Sequence, residues 1–182
     1  MKRFLVALAL VIPPVPASSQ AIPFDQQGPV VSLTTSAVYL GQYEPFNHSR
    51  TLFGWSAVPD VSVTRRLGIQ AEVANMYMRS VTPGENRFIL AAGPRYRFPY
   101  STRFRIIPFI FGEGGKIRTS EPFNPHILWD PMFKAGFGFE YHVSRRVSLN
   151  LVPGEVLGEH LPDGTWDDSY GARAGVTFHL LP

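Results

Sequence analysis

Apolar and polar residues alternate along most of the chain, and a period of two marks strands whose two faces meet different surroundings. The clearest case covers residues 133–143. Phe133, Ala135, Phe137, Phe139, Tyr141 and Val143 share one face there, and Lys134, Gly136, Gly138, Glu140 and His142 share the other. Residues 170–180 repeat the pattern, with Tyr170, Ala172, Ala174, Val176, Phe178 and Leu180 opposite Gly171, Arg173, Gly175, Thr177 and His179. Residues 53–63 set Phe53, Trp55, Ala57, Val61 and Val63 against Gly54, Ser56, Asp60 and Ser62. Residues 67–77 set Leu67, Ile69, Ala71 and Val73 against Gly68, Gln70 and Glu72, and residues 87–98 set Phe88, Leu90, Ala92, Tyr96 and Phe98 against Arg87, Gly93, Arg95 and Arg97. Weaker alternation runs through 31–43 and 147–152, whereas 105–116 is apolar at both parities around Ile106 and Phe111, so its faces stay unassigned. The pattern predicts eight strands.

The connections form a second pattern. Those on the side of the chain's start, at 64–67, 99–103 and 144–146, are short and carry Pro or paired Arg. Those on the other side, at 41–50, 79–86, 118–129 and 158–168, are longer and rich in Pro, Asn, Asp, Ser and Gly. An even strand number, short turns at one end and longer loops at the other predict an all-β fold: an eight-stranded antiparallel up-and-down transmembrane β-barrel. The competing reading is a soluble secreted lipocalin-like barrel or sandwich with the same alternation and its apolar face turned inward. The composition of the faces favours the membrane barrel. The polar face mixes ionic residues with Gly54, Gly93, Gly136, Gly138, Gly171 and Gly175, which suits a narrow interior. The apolar face carries Tyr39, Tyr43, Phe53, Trp55, Tyr77, Phe88, Tyr96, Phe98, Tyr141 and Tyr170 near strand ends, as interfacial girdles require.

The start of the chain reads as a secretory signal. Lys2 and Arg3 precede an apolar run over residues 4–12, and Pro13, Pro14, Pro16, Ala17 and Ala21 follow. The run is too short for a helical span, which takes about 20 residues. Cleavage is expected after Ala21, with Ala17 as the alternative. The expected divisions are a signal peptide 1–21, an N-terminal segment 22–30 and the barrel 31–182. Removing residues 1–21 takes Lys2 and Arg3 from the 17 basic residues, leaving 15 against 14 acidic and a net charge of +1. That balance gives no electrostatic footprint for nucleic acid. With no Cys in 182 residues, a disulfide scaffold, a thiolate-ligated zinc and a thiol nucleophile are all excluded.

The segments from Asn86 to Phe98, from Ile107 to Gly112, from Ala135 to Phe139 and from Ala172 to Phe178 resemble the small OmpA/OmpX-like, porin-like outer-membrane β-barrel domain family. The resemblance covers nearly all of residues 31–180 and implies a location, the outer membrane of a Gram-negative-type envelope. It says less about activity, because members of that family include stabilising and adhesive proteins. It also implies outer-membrane lipid and the barrel assembly machinery as partners. One departure concerns the terminus. Such barrels usually end on an aromatic residue that the machinery reads, and here Phe178 stands four residues before Pro182.

Within the barrel, Gln70, Glu72, Arg95, Arg97, Lys134, Glu140 and Arg173 are expected to form a structural polar network in the lumen. Glu72, Glu140 and Glu113 would pair there with Arg95, Lys134 and Arg173, since buried charges must be paired or hydrated. Eight strands leave little room for an aqueous channel. The enzyme alternative is a PagL-type lipid A deacylase, because His142-Val-Ser144 has the spacing of a His-x-Ser pair. Against it, His142 shares its parity with Lys134 and Glu140, and the pair falls at the periplasmic end. The last long loop collects Glu155, Glu159, Asp163, Asp167, Asp168 and His160, oxygen ligands suited to Ca²⁺, although Asp163-Gly-Thr is itself a turn signal. The expectation is therefore a structural or surface-interaction barrel with no catalytic residue, no cofactor and no metal.

Overall fold

A computed structural model of the protein describes residues 31–42, 50–77, 86–99, 105–121 and 124–181. The expected signal peptide, the segment 22–30 and Tyr43 lie outside the described residues. Eight strands follow one another: β1 Val31–Gln42, β2 Arg50–Ser62, β3 Leu67–Tyr77, β4 Asn86–Arg97, β5 Ile106–Glu121, β6 Asn124–His142, β7 Val147–His160 and β8 Trp166–Leu181. Each pairs antiparallel with the next, and β8 pairs with β1, so the sheet closes and leaves no open edge. Closure matters because a barrel satisfies every strand's backbone groups within the sheet.

Two of the short turns share one local solution. The Leu67 amide donates to Thr64 Oγ1 at 2.9 Å, and the Val147 amide donates to Ser144 Oγ at 3.1 Å. Each hydroxyl thus ties a turn that presents two exposed arginines, Arg65 and Arg66 in one and Arg145 and Arg146 in the other.

The faces follow the alternation. On β3, Gln70, Glu72, Ala74 and Met76 are buried inside while Leu67, Ile69 and Tyr77 are exposed. Outward-facing apolar side chains include Phe53, Trp55, Phe133, Phe137, Leu149, Leu151 and Tyr170. This facing is the reverse of what the soluble lipocalin-like reading needs, with its aromatic face inside and its ionic face in water. The ambiguous strand is now assigned. On β5, Ile107, Phe109, Phe111, Glu113 and Ile117 point inward, and Ile106, Pro108, Ile110 and Lys116 point outward.

Three expectations are corrected. The connections 118–129 and 158–168 are largely strand, leaving only residues 122–123 and 161–165 between paired strands. Pro131, Gly154 and Gly158 imitate turn signals but sit within paired strands, where the Phe137 and Phe133 rings cover Gly154 and Gly158. Second, the pairing of β7 shifts between Val152 and Glu155, so inward parity passes from Asn150 and Val152 to Glu155, Leu157 and Glu159. Glu155 and Glu159 are therefore interior residues and not loop carboxylates. Third, small and ionic residues do not fill the whole interior. Toward the loop end it is packed by Val38, Leu40, Leu52, Ala74, Met76, Ile89, Ala91, Ile117, Met132 and Leu157.

Candidate functional site

The interior is layered from the short-turn end to the loop end. Nearest the turns, Arg97 pairs with Asp60 and donates to Ser62 Oγ at 2.9 Å. Ser148 Oγ lies 2.8 Å from His142 Nδ1 and 2.8 Å from His179 Nε2, and the same His179 nitrogen is 3.3 Å from Glu140 Oε1. Arg95 Nη2 donates to the other Glu140 oxygen at 3.0 Å. One strand residue thus ties two strata together, since Glu140 serves both the histidine pair and Arg95.

The middle stratum holds Lys134 and Arg173 among three carboxylates. Lys134 pairs with Glu72 and lies 3.5 Å from Glu113 and 3.9 Å from Glu155. Arg173 lies 3.1 Å from Glu72 and 3.3 Å from Glu155. Gln70 Nε2 donates to Glu113 at 2.7 Å. Beneath the guanidinium groups lie two inward aromatic rings, Phe109 at 3.7 Å from Arg95 and Phe111 at 4.7 Å from Arg173. Gly138 and Gly136 make room for these rings, because a Cβ on either would come within 2.5 Å or 2.8 Å of a ring carbon. Above comes the apolar plug, and at the loop end Arg87 meets Glu159 at 3.4 Å and Asp167 at 3.7 Å.

All seven residues singled out from the sequence, Gln70, Glu72, Arg95, Arg97, Lys134, Glu140 and Arg173, lie in this interior, and Glu113 with them. Sequence reasoning left out Asp60, Arg87, Glu155, Glu159, His179 and Ser148. Asp60, Arg87 and His179 carried the right parity. Glu155 and Glu159 were hidden by the register shift in β7.

The chemistry of the histidine stratum is hydrogen bonding. A nucleophile relay sets the base's two nitrogens against different partners, the hydroxyl on one and the carboxylate on the other. Here one nitrogen of His179 faces both Ser148 and Glu140. Ser144, the serine of the His-x-Ser spacing, is exposed in the turn and its hydroxyl accepts from the Val147 amide. Glu140, His142 and His179 bring their ligand atoms within 4.8 Å of one another. Arg95 already holds one Glu140 oxygen, and Ser148 faces one nitrogen of each histidine. At the β7–β8 turn, Asp163 Oδ1 accepts from the Thr165 hydroxyl at 2.6 Å and from its amide at 2.9 Å. These bonds hold its carboxyl below the usual aspartate range. With Gly164 at φ 86°, Asp163 builds a turn there and no cation cage.

A closed antiparallel sheet with this facing can be compared directly with known proteins. The chain superposes on Neisserial surface protein A with a TM-score of 0.71 and 13% identity, covering 85% of this chain and 100% of that one. The fold is that of a small outer-membrane barrel. Ail, the attachment invasion locus protein of Yersinia pestis, gives a TM-score of 0.53 at 12% identity, covering 82% of this chain and 98% of Ail. The outer membrane enzyme PagL gives 0.52 at 12% identity, covering 84% of this chain and 100% of PagL. No protein-family model matches the sequence, and no curated protein matches it. One fold thus carries both an attachment protein and an enzyme, and this chain's own side chains must separate such roles.

Proposed function

We propose that the protein is a sealed outer-membrane barrel with a structural or surface-interaction role. On this reading it is exported by residues 1–21, assembled by the barrel machinery and anchored so that its loop end faces outward. One observation carries it: the outward face is mostly apolar, while most ionic residues of the strands are inside. Phe53 is 60%, Tyr170 58% and Phe137 50% exposed, within a belt of outward apolar side chains. A water-soluble monomer rarely exposes a contiguous apolar patch beyond a few hundred Å², whereas lipid accommodates this belt. The apolar plug across the interior, and the one His179 nitrogen that faces both Ser148 and Glu140, support a role carried by the loops and the outer surface.

The test is fractionation followed by electrophoresis of boiled and unboiled samples. The reading expects the protein in the outer-membrane fraction, with a mobility that shifts on boiling as the closed sheet unfolds. Protein in the soluble fraction with a single mobility overturns it.

A further inference from the structure

Among the described strand residues, three Lys, Arg, Asp or Glu side chains point outward: Lys116 and Arg118 on β5 and Asp168 on β8. The two cations are neighbours on one face of one strand, and no carboxylate among the described residues stands beside them. Their cross-strand partners are Leu90 and Phe88 on β4 and Pro131 and Trp129 on β6. Two like charges on an apolar wall are unfavourable unless an anion joins them.

Their height fixes what can reach them. Ten residues separate Ile106, at the short-turn end, from Lys116. At about 3.3 Å per residue and a tilt near 40°, that is about 25 Å, the height of a barrel's apolar band. Pro108, Ile110, Gly112 and Gly114 lie outward between them, all uncharged. Lys116 and Arg118 therefore stand where the outer-leaflet hydrocarbon ends and its headgroups begin. The Arg118 guanidinium sits between the Phe88 and Trp129 rings at 5.7 and 5.8 Å, and its Nε has no hydrogen-bond partner among the described residues.

Below the pair the wall is hollow. A Cβ added at Gly112 or Gly114 would meet nothing within 4 Å. Their partners Ala92 and Ala135 are small, and the Phe133 ring leans the other way, over Gly158. A furrow floored by Gly112 and Gly114 therefore runs up the outer face to the two cations.

We propose that Lys116 and Arg118 bind the phosphate of a phosphorylated acyl lipid of the outer leaflet, one of whose chains lies along Gly112 and Gly114. An arginine fork and an ammonium converging on one phosphate supply charge-assisted hydrogen bonds in a poorly hydrated place. The inference rests on the outer-membrane placement proposed above.

The full chain is folded in detergent, and a boiling-dependent shift is checked first, so that failure of the barrel reading is seen separately from failure of the site. Native mass spectrometry then measures retention of diphosphorylated lipid A, of dephosphorylated lipid A and of inorganic phosphate. Wild type should retain the diphosphorylated lipid at least about tenfold better than the Lys116→Gln/Arg118→Gln variant, the loss expected for charged hydrogen bonds. The dephosphorylated lipid should bind at the variant's level, and Gly112→Leu should weaken retention with both charges in place. Equal retention by wild type and the folded double variant overturns the site. Displacement of the lipid by equimolar inorganic phosphate overturns the assignment to a lipid.

Discussion

The Arg95 guanidinium lies 3.7 Å above the centroid of the Phe109 ring, inside the barrel. An inward Phe on a membrane barrel is explained by this stack: the ring fills volume and its face receives a buried cation. The same guanidinium bonds Glu140, so removing it strands a buried carboxylate. Arg95→Met should destabilise the barrel by about 3–5 kcal/mol, the usual cost of breaking a buried pair from one side. Arg95→Met/Glu140→Gln should recover most of that loss. Urea unfolding of the vesicle-embedded protein reads both, and an equal loss in single and double variants would assign the stability to the stack instead of the ion pair.

Gly138 supplies the room for that ring. A Cβ there would come 2.5 Å from a Phe109 ring carbon and 2.7 Å from the Leu151 carbonyl oxygen, and the backbone atom cannot swing away. Gly138→Ala should cost about 1–3 kcal/mol, the range for overpacking. Gly112→Ala, where the added carbon meets nothing, is the control and should be neutral within about 0.5 kcal/mol. Matching unfolding midpoints for the two variants would refute the packing argument.

These two positions also mark what the sequence made legible. Alternation alone located β3 to the residue and put Glu72, Arg95, Lys134, Glu140 and Arg173 on the inner face, because period two survives wherever the two faces differ in polarity. It failed where they do not. On β5, Phe109 and Phe111 are inward and Ile110 outward, so both parities read as apolar. In the loop-end half, Leu40, Leu52, Ile89 and Ile117 fill the interior while aromatic side chains cover the outside, and the contrast fades again. On β7 the contrast persists but its phase jumps at the register shift, which turned Glu155 and Glu159 into apparent loop residues. The histidine stratum joins β6, β7 and β8 through the register of neighbouring strands, with His142 opposite Ser148 and Ser148 opposite Thr177, which alternation within one strand does not give.

The plug formed by Leu40, Leu52, Met76, Ile89, Ile117 and Leu157 predicts electrical silence. Each of these side chains is at most 1% exposed, and they span the interior between the ionic middle and the Arg87–Glu159 pair. An ion would have to shed its water to pass them. Among the described residues, a void lined by Thr34, Val58, Gln70, Arg95, Phe109, Asn150 and Arg173 measures about 10 Å³, close to the minimum for one water. Protein inserted in a planar bilayer should therefore show no unitary conductance above the lipid baseline. Regular steps that persist in the boil-shifting, folded protein would disprove the sealed interior.

Phe137 tests the facing of the sheet itself. Its side chain points outward on β6, half exposed, with its ring over Gly154. It stands four residues from Tyr141 toward the loop end, about 10 Å along the barrel axis and so near the middle of the apolar band. The opposite facing on the same strand belongs to Lys134, which points inward and pairs with Glu72. Arginine at position 137 must therefore hold its charge in hydrocarbon, at a cost of about 2–4 kcal/mol in a barrel wall. Phe137→Arg should reduce the boil-shifting fraction recovered in outer membranes, while Phe137→Leu, which keeps an apolar surface, should assemble like wild type. If Phe137→Arg assembles as well as Phe137→Leu, the outward face does not meet lipid, and the membrane reading falls with it.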